Sequence, residues 1–297
     1  MAKSPRIIDG KKLAATIREE LKTEIEALAK RKIVPGLAVV IVGDDPASHV
    51  YVRNKHKACQ QLGINSYVHK LPANTTERKV LNLVKRLNAD KAVHGILVQS
   101  PPPKHIDESK IVLTIDPDKD VDAFHPVNVG KLLIGTEGFK PCTPHGCVEM
   151  LMRYGYNPEG KHVVIVGRSN IVGKPTAAML IQKATGGNAT VTVCHSRTKH
   201  LSRHTREADI LIAAIGVPQF IKARMVKEGV VVIDVGMNRI EDKTKKSGYR
   251  LVGDVDFKGV SKKAKAITPV PGGVGPMTIT MLLKNTVQAA KMTHGIA

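Results

Sequence analysis

Short runs of aliphatic residues recur along this chain, and a segment of helical period follows almost every one. Residues 37–42 read Leu-Ala-Val-Val-Ile-Val and end at Gly43-Asp44-Asp45-Pro46. Similar runs occupy 95–99, 162–167, 190–194, 210–214 and 230–234, and 67–71 has a strand-like pattern. A continuous apolar run bounded by turn formers marks a strand buried on both faces. Residues 10–31 carry Leu13, Ile17, Leu21, Ile25 and Leu28 at spacings of three and four, one face of a helix, with Asp9 placed to cap it. Further helices are expected at 48–62, 76–89, 144–154, 174–185 and 278–291. Strands alternating with helices imply right-handed βαβ units and a largely parallel sheet. The pattern predicts an α/β protein of two α/β domains, separated by the loop-rich stretch 116–143. The Gly/Pro loop at 268–276 is a second candidate boundary.

Charge and cysteine content narrow the function classes. The chain has 297 residues, with 46 Lys or Arg against 26 Asp or Glu, a formal net charge of +20. Such a bias invites a nucleic-acid reading. The basic residues are dispersed, however, and the densest clusters, Lys243-Thr-Lys245-Lys246 and Lys262-Lys263-Ala-Lys265, are short. With no Trp, four Phe and five Tyr, rings for base stacking are few. A cationic solvated surface or a small anionic ligand fits better, and no nucleic-acid partner is expected. The cysteines, Cys59, Cys142, Cys147 and Cys194, form no C-x-x-C pair and suit a reducing compartment. Cys142, His145 and Cys147 lie close in sequence without a standard zinc spacing, so no metal is expected. No apolar run approaches the ~20 residues that span a bilayer. The opening Met1-Ala-Lys-Ser-Pro-Arg6 lacks the apolar core of a signal peptide. The expectation is a soluble, cytoplasmic protein with no membrane partner.

Four segments carry chemistry. Residues 163–175 run from strand through Gly167-Arg168-Ser169-Asn170-Ile171-Val172-Gly173 into a helix. Glycine at the strand end lets backbone amides approach a phosphate, and the helix start adds free N–H groups and a positive dipole end. The spacing is not a strict G-x-G-x-x-G, and taken alone the turn is equally compatible with a structural role. The next strand ends in Cys194-His195-Ser196-Arg197-Thr198, without the carboxylate that accepts from the ribose of NAD. Arg197 offers a planar fork of donors suited to a 2′-phosphate, so NADP is expected over NAD.

In the helix after the first run, Tyr51 and Lys55 are four residues apart and share a face near the C-terminal edge of the sheet. A partly desolvated lysine can lose its proton near neutral pH and serve acid–base chemistry, and a tyrosine beside it can stack on a planar ring. On spacing alone, an ordinary surface Lys beside a half-buried Tyr is the simpler reading. Gln99 ends a buried strand at Pro101-Pro-Pro103. Asp122 closes the series Asp116, Asp118, Asp120, Asp122. Its carboxylate can accept two parallel N–H bonds from an aminopyrimidine edge, while the other three read as solvated turn chemistry. Residues 268–278, Thr-Pro-Val-Pro-Gly-Gly-Val-Gly-Pro-Met-Thr, are too rich in Gly and Pro for a simple linker. Such a loop brings backbone close to a ligand or serves as a rigid connector.

Together these segments resemble the bifunctional methylenetetrahydrofolate dehydrogenase/methenyltetrahydrofolate cyclohydrolase family, over essentially the whole chain and in the expected order. The specific motifs are Tyr51-x-x-x-Lys55, Gly167-Arg168-Ser169-x-Ile171-Val172-Gly173-x-Pro175 and Pro271-Gly-Gly-Val-Gly-Pro-Met-Thr278. The resemblance implies an N-terminal catalytic domain, 1–143, completed by a C-terminal helix at 277–297. It implies a Rossmann-like NADP-binding domain with a parallel sheet at 144–276, an active site in the cleft between the two, and homodimers formed through the NADP domains. The implied chemistry is NADP-dependent oxidation of 5,10-methylenetetrahydrofolate, then hydrolysis to 10-formyltetrahydrofolate, in one-carbon metabolism.

By the same resemblance Lys55 takes the place of the family's catalytic lysine, Gln99 of its partner, Tyr51 of its stacking tyrosine and Asp122 of its pteridine-binding aspartate. Val98, Ser100, Pro271, Gly272, Gly273 and Gly275 match the rest of the folate site. Gly167, Arg168, Ser169, Ser196, Arg197, Ile233 and Thr278 match cofactor-contact positions. The positive charge is expected to draw polyanions such as NADP or a polyglutamylated folate. Two positions depart from the family: Ser100 precedes Pro101 where Leu is usual, and Ala123 follows Asp122 where Gly is usual. Two rival readings share the scaffold. Another two-domain NADP dehydrogenase, acting on an amino acid or a shikimate-like acid, leaves Tyr51 and Lys55 unused. A cyclohydrolase-only relative is at odds with the intact cofactor turn.

Overall fold

The aliphatic run at 37–42 becomes the strand Gly36–Val42, and all seven of its residues are buried. Its place in the fold explains why: it is the central strand of three, with parallel neighbours on both sides. A computed structural model describes residues 5–245 and 248–296. In chain order its first elements are β1 (Arg6–Ile7), α1 (Gly10–Lys30), β2 (Gly36–Val42), α2 (Pro46–Leu62), β3 (Asn65–Leu71), α3 (Glu77–Ala89) and β4 (Gly95–Val98). Helices α4 (Glu108–Thr114), α5 (Pro126–Ile134) and α6 (Cys142–Arg153) follow. Then come β5 (His162–Val166), α7 (Gly173–Leu180), β6 (Thr190–Cys194), α8 (Leu201–Glu207) and β7 (Ile210–Ala213). The last are β8 (Val231–Asp234), β9 (Asn238–Glu241), β10 (Tyr249–Val252), α9 (Phe257–Val260), β11 (Ala266–Ile267) and α10 (Val274–Thr293).

The chain packs as two compact units, one of residues 16–142 with 279–297 and the other of 1–15 with 143–278. In the first, the parallel sheet has the order β3-β2-β4, with Leu37 beside Ser66 and Gly95. Val80, Leu83, Val84 and Leu87 of α3 and Ile111 of α4 pack with Ala38, Val40 and Ile96 to form its core. In the second, six strands lie in the order β1-β11-β8-β7-β5-β6, every neighbouring pair parallel. Its core joins Val164, Val166, Leu211, Ala213 and Val232 to Ile221, Val226 and Val260. The domain limits expected from sequence place the first residues differently. Arg6 and Ile7 pair with Ala266 and Ile267, which draws the start of the chain into the six-stranded sheet.

Several boundaries moved for identifiable reasons. Helix α1 starts where expected, with Asp9 Oδ1 accepting from Lys12 N at 2.9 Å. Helix α2 starts at Pro46 rather than Ser48, because Asp45 caps it by accepting from Ser48 N at 2.7 Å and proline needs no donor in a first turn. The stretch 116–143, read as loop, contains α5, capped by His125, opened by Pro126 and closed by Gly135 at a φ of 77°. Helix α7 stops at Leu180 instead of 185, and α10 starts at Val274, four residues before Thr278. The antiparallel pair β9–β10 was not expected; its short strands alternate exposed with half-buried residues up to the buried Val252.

Candidate functional site

In the first unit, α2 carries Lys55 toward the end of β4. The Gln99 amide N–H bonds to the Val40 carbonyl at 2.8 Å, which holds Gln99 at the strand edge. Its side chain is oriented from both ends: Oε1 accepts from Lys55 Nζ at 3.0 Å and Nε2 donates to the Ser100 carbonyl at 2.8 Å. Lys55, Val98, Gln99, Ser100, Asp122 and Phe124 line one open pocket of about 100 Å³, which Ile111 and Ile115 extend on an apolar side. Burial pulls the Lys55 amine below its ordinary range, and the Asp122 carboxylate only partly offsets this. Burial likewise pushes the Asp122 carboxyl up against the opposing pull of Lys55. The arrangement is chemically suited to proton transfer: an amine that sheds its proton more readily than a free lysine, held by a neutral acceptor. Tyr51 lies one turn earlier on α2 and is 37% exposed, outside the residues lining this pocket.

The loop that presents Asp122 is fixed by residues the sequence reading passed over. Asp120, read as a solvated turn residue, is 2% exposed. Its Oδ2 accepts from His125 N at 2.8 Å and from Asn128 Nδ2 at 3.0 Å. Only Asp116 and Asp118 of that series remain exposed alongside. From α10, Asn285 Nδ2 donates to the Val121 carbonyl at 2.8 Å and to the Lys140 carbonyl at 2.9 Å. The Cys142 thiol faces the Val121 carbonyl at 3.4 Å and the Asp122 carboxylate, and burial beside that carboxylate pushes its ionisation well up. A clue was present: an Asn on the apolar side of the last helix has to find partners when buried. Ala123 sits between these anchors at a φ of 60°.

In the second unit, β5 ends at a turn only glycine can make. Gly167 has a φ of 131°, and a Cβ there would stand 2.1 Å from the Ala214 carbonyl oxygen; one on Gly173 would stand 2.2 Å from the Gly167 oxygen. Ser169 Oγ accepts from Val172 N at 3.1 Å and so shapes the start of α7. Arg168 and Ser169 are exposed beside that turn. At the end of β6, Ser196 and Arg197 are also exposed, on a turn in which Thr198 Oγ1 accepts from His195 N at 2.9 Å. A backbone cradle that any side chain would fill, at a helix start beside an exposed guanidinium, fits a phosphorylated dinucleotide. Ile233, in contrast, is fully buried inside the sheet. The chain first opens at Asp234–Met237, which form a second pocket with 269–275 and thereby with Pro271, Gly272, Gly273 and Gly275. Thr278 Oγ1 lies 2.9 Å from Thr143 Oγ1, just inside α10. Among the described residues no three His, Cys, Asp or Glu are placed to hold a metal ion. None of the described helices is long and apolar enough to cross a membrane.

Comparison with known proteins places both parts of the chain in one lineage. Residues 8–122 match the catalytic domain of tetrahydrofolate dehydrogenase/cyclohydrolase, and residues 141–294 match the NAD(P)-binding domain of the same enzymes. The chain belongs to the tetrahydrofolate dehydrogenase/cyclohydrolase family. A FolD bifunctional protein from Chlorobium phaeobacteroides is 57% identical over 293 residues, 98% of each chain. The crystal structure of the bifunctional FolD enzyme from Campylobacter jejuni superposes with a TM-score of 0.91 at 52% identity, covering 97% of this chain and 99% of that one. The Trypanosoma brucei enzyme, solved with NADP and an inhibitor, gives a TM-score of 0.93 at 41% identity, covering 98% and 99%. Membership over both parts makes the chain a bifunctional enzyme, a methylenetetrahydrofolate dehydrogenase and methenyltetrahydrofolate cyclohydrolase of one-carbon metabolism. Its second unit is an NAD(P)-binding domain.

Proposed function

We propose that Lys55 is the proton carrier of the hydrolytic step, that Asp122 holds the pterin edge of the folate, and that the dinucleotide taken is NADP. The observation that carries the first assignment is the 3.0 Å bond from Lys55 Nζ to Gln99 Oε1 inside a pocket shared with Asp122. When bound, NADP⁺ accepts a hydride from the one-carbon bridge of methylenetetrahydrofolate. The folate left behind is a methenyl cation, and water must then attack its one-carbon centre. Lys55, drawn toward its neutral form by burial, takes a proton from that water and can return it to the departing ring nitrogen. Gln99 accepts from the amine without competing for the proton, and its own NH₂ is tied to the Ser100 carbonyl, so the acceptor cannot turn away. Tyr51 stacks on the folate ring system, and Val98 and Ser100 complete the pocket wall.

NADP selection rests on Arg197 and Ser196 at the end of β6, where NAD enzymes place a carboxylate. Gly167, Arg168 and Ser169 take the pyrophosphate and Thr278 makes a further cofactor contact, while Pro271, Gly272, Gly273 and Gly275, which the family resemblance gives to the folate, line the same pocket as Asp234–Met237. We assign folate binding to the unit of 16–142 and 279–297, dinucleotide binding to the other, and the working state to a cytoplasmic homodimer. Of the formal charge, the dinucleotide unit carries 25 Lys and Arg against 11 Asp and Glu, which supports attraction of a polyanion. A coupled assay tests the whole reading. Methylenetetrahydrofolate with NADP⁺ should give methenyl absorbance that rises and then decays at the enzyme's own rate. No NADP⁺-dependent rise would reject the assignment.

A further inference from the structure

Two carboxylates are buried at the C-terminal edge of the six-stranded sheet, Asp234 at 3% exposure and Asp254 at 0%. Asp234 Oδ1 accepts from Gly236 N at 3.0 Å and Asp254 N at 2.9 Å, and its Oδ2 from Val255 N at 3.0 Å. Asp254 Oδ2 accepts from Ile215 N at 2.6 Å and Gly216 N at 2.9 Å, and its Oδ1 from Asn238 Nδ2 at 2.9 Å. Every one of these donors is a neutral amide. Two glycines permit so close an approach. A Cβ on Gly236 would stand 2.3 Å from Asp254 Oδ1, and one on Gly253 would stand 1.8 Å from Asp234 Oδ2. Amide dipoles satisfy the oxygens but leave the net negative charge in place. A buried acidic pair with no cation bonded to it among the described residues is conspicuous in a unit whose remaining charge is so strongly positive.

The pair lies under a pocket. Asp234 lines it together with Val235, Gly236, Met237 and the loop 269–275. In the strand order β8-β7-β5-β6, the phosphate turn follows β5 and the Ser196–Arg197 turn follows β6. A dinucleotide with its pyrophosphate at the first and its 2′-phosphate at the second extends its nicotinamide the other way, over the ends of β7 and β8. That direction leads to Asp234. The oxidised nicotinamide ring is a cation and the reduced ring is neutral.

We propose that Asp234 and Asp254 set the redox-state preference of the dinucleotide site, their negative field favouring the oxidised, cationic nicotinamide over the reduced, neutral one. The inference rests on the cofactor assignment made above. Burial pushes the Asp234 carboxyl up to about 7 despite its three N–H donors, so its charge is complete only in mildly alkaline buffer, where the titrations below are run. Taking ~8–10 Å as the separation and an effective dielectric near ~20, a unit charge changes affinity by about 15- to 30-fold, and solvent at an open pocket reduces this to roughly three- to tenfold.

Asp254→Asn removes one charge with little change of shape. The new carbonyl can accept from Ile215 and Gly216, and Asn238 can turn its amide to accept from the new NH₂. Dissociation constants for NADP⁺ and NADPH are measured by calorimetry on the wild type and on this variant. The expected result is NADP⁺ binding weakened by roughly three- to tenfold with NADPH binding unchanged. Equal weakening of both, or of neither, overturns the proposal and leaves the cofactor assignment standing. Failure of the wild type to bind either nucleotide removes the cofactor assignment and the proposal with it. If the variant does not fold, the wild type decides the matter: NADP⁺ must bind more tightly than NADPH at low ionic strength, and tighter NADPH binding overturns the proposal.

Discussion

Replacing Lys55 with Met should remove hydrolysis and leave dinucleotide binding intact. Methionine keeps the aliphatic stem but not the ammonium that donates to Gln99 Oε1 at 3.0 Å. General-base help is worth about 10²–10⁴-fold, or roughly 3–5 kcal/mol of barrier. The effect on stability is a contest of two changes. Burial already disfavours the Lys55 charge, so its loss relieves the folded state. Asp122 meanwhile loses the cation that opposes its own desolvation, and its carboxyl, already pushed up, takes a proton more readily. These oppose, and the melting temperature should move by only a few degrees, about 1–2 kcal/mol. NADP⁺ affinity should hold, because the turn at Gly167 and Arg197 belong to the other unit. The assay follows decay of methenyl absorbance, with a calorimetric NADP⁺ titration of the same sample. Full hydrolysis by a folded Lys55→Met enzyme would refute the reasoning. The same amine fixes the pH profile. It acts as a base only when neutral, so hydrolytic kcat/KM rises with pH on the acid side, through a midpoint below that of a free lysine. Asp122 favours the ammonium, so Asp122→Asn should shift that limb to lower pH.

Three further outcomes are expected. Arg197→Ala should lower the ratio of kcat/KM for NADP⁺ over NAD⁺ by roughly 10- to 150-fold, the worth of one charge-assisted phosphate contact; a ratio that does not move would separate Arg197 from cofactor choice. Asn285→Leu removes the amide donor from the part-buried Lys140 carbonyl and leaves the buried Val121 carbonyl with only the weak Cys142 thiol, and should cost roughly 1–3 kcal/mol in denaturant melts. Asp234 holds its proton to about pH 7 in the folded chain but only to about 4 when unfolded, so the folded state binds the extra proton between those values. The stability of the wild type relative to Asp234→Asn should therefore fall as pH rises from about 4 to about 7, by up to about 4 kcal/mol, and level off above; a difference independent of pH would show that Asp234 is ionised throughout.

The sheets were legible because strands buried on both faces have no polar positions to interrupt the aliphatic run, as in β2 and β5. The phosphate turn was legible because its glycines answer local demands, a φ of 131° at Gly167 and backbone contact at Gly173. Helix α5 was missed because its Pro126 and Gly135 read as loop formers, although they are the opening and closing residues of a helix. The supports of the site were missed for a different reason. Asn285 meets Val121 across 164 positions of sequence, and Asp254 meets Ile215 across 39. A buried polar side chain is visible as an anomaly in a periodic pattern, but its partner is set by the tertiary fold. Lys55 and Gln99, 44 positions apart, are in the same situation: each stands out locally, but they were paired only through the family resemblance.

The two departures from the family pattern can be weighed on the same physical grounds. Ala123 holds a left-handed φ of 60° that glycine would adopt freely, at a cost of about 1–2 kcal/mol. Its methyl group is fully buried, which returns about 0.8 kcal/mol. The turn is clamped on both sides, by Asp120 accepting from His125 N and by Asn285 donating to the Val121 carbonyl, so the strain has no soft direction in which to displace Asp122. Ser100 in place of a leucine exposes a small polar side chain at the pocket wall, yet Gln99 is oriented by the backbone carbonyl of residue 100, which any side chain there would supply. Neither substitution touches a bond that aims the amine of Lys55 or the carboxylate of Asp122. The Lys55–Gln99–Asp122 arrangement thus survives at both altered positions, with the adjustment falling on the shape of the pocket wall.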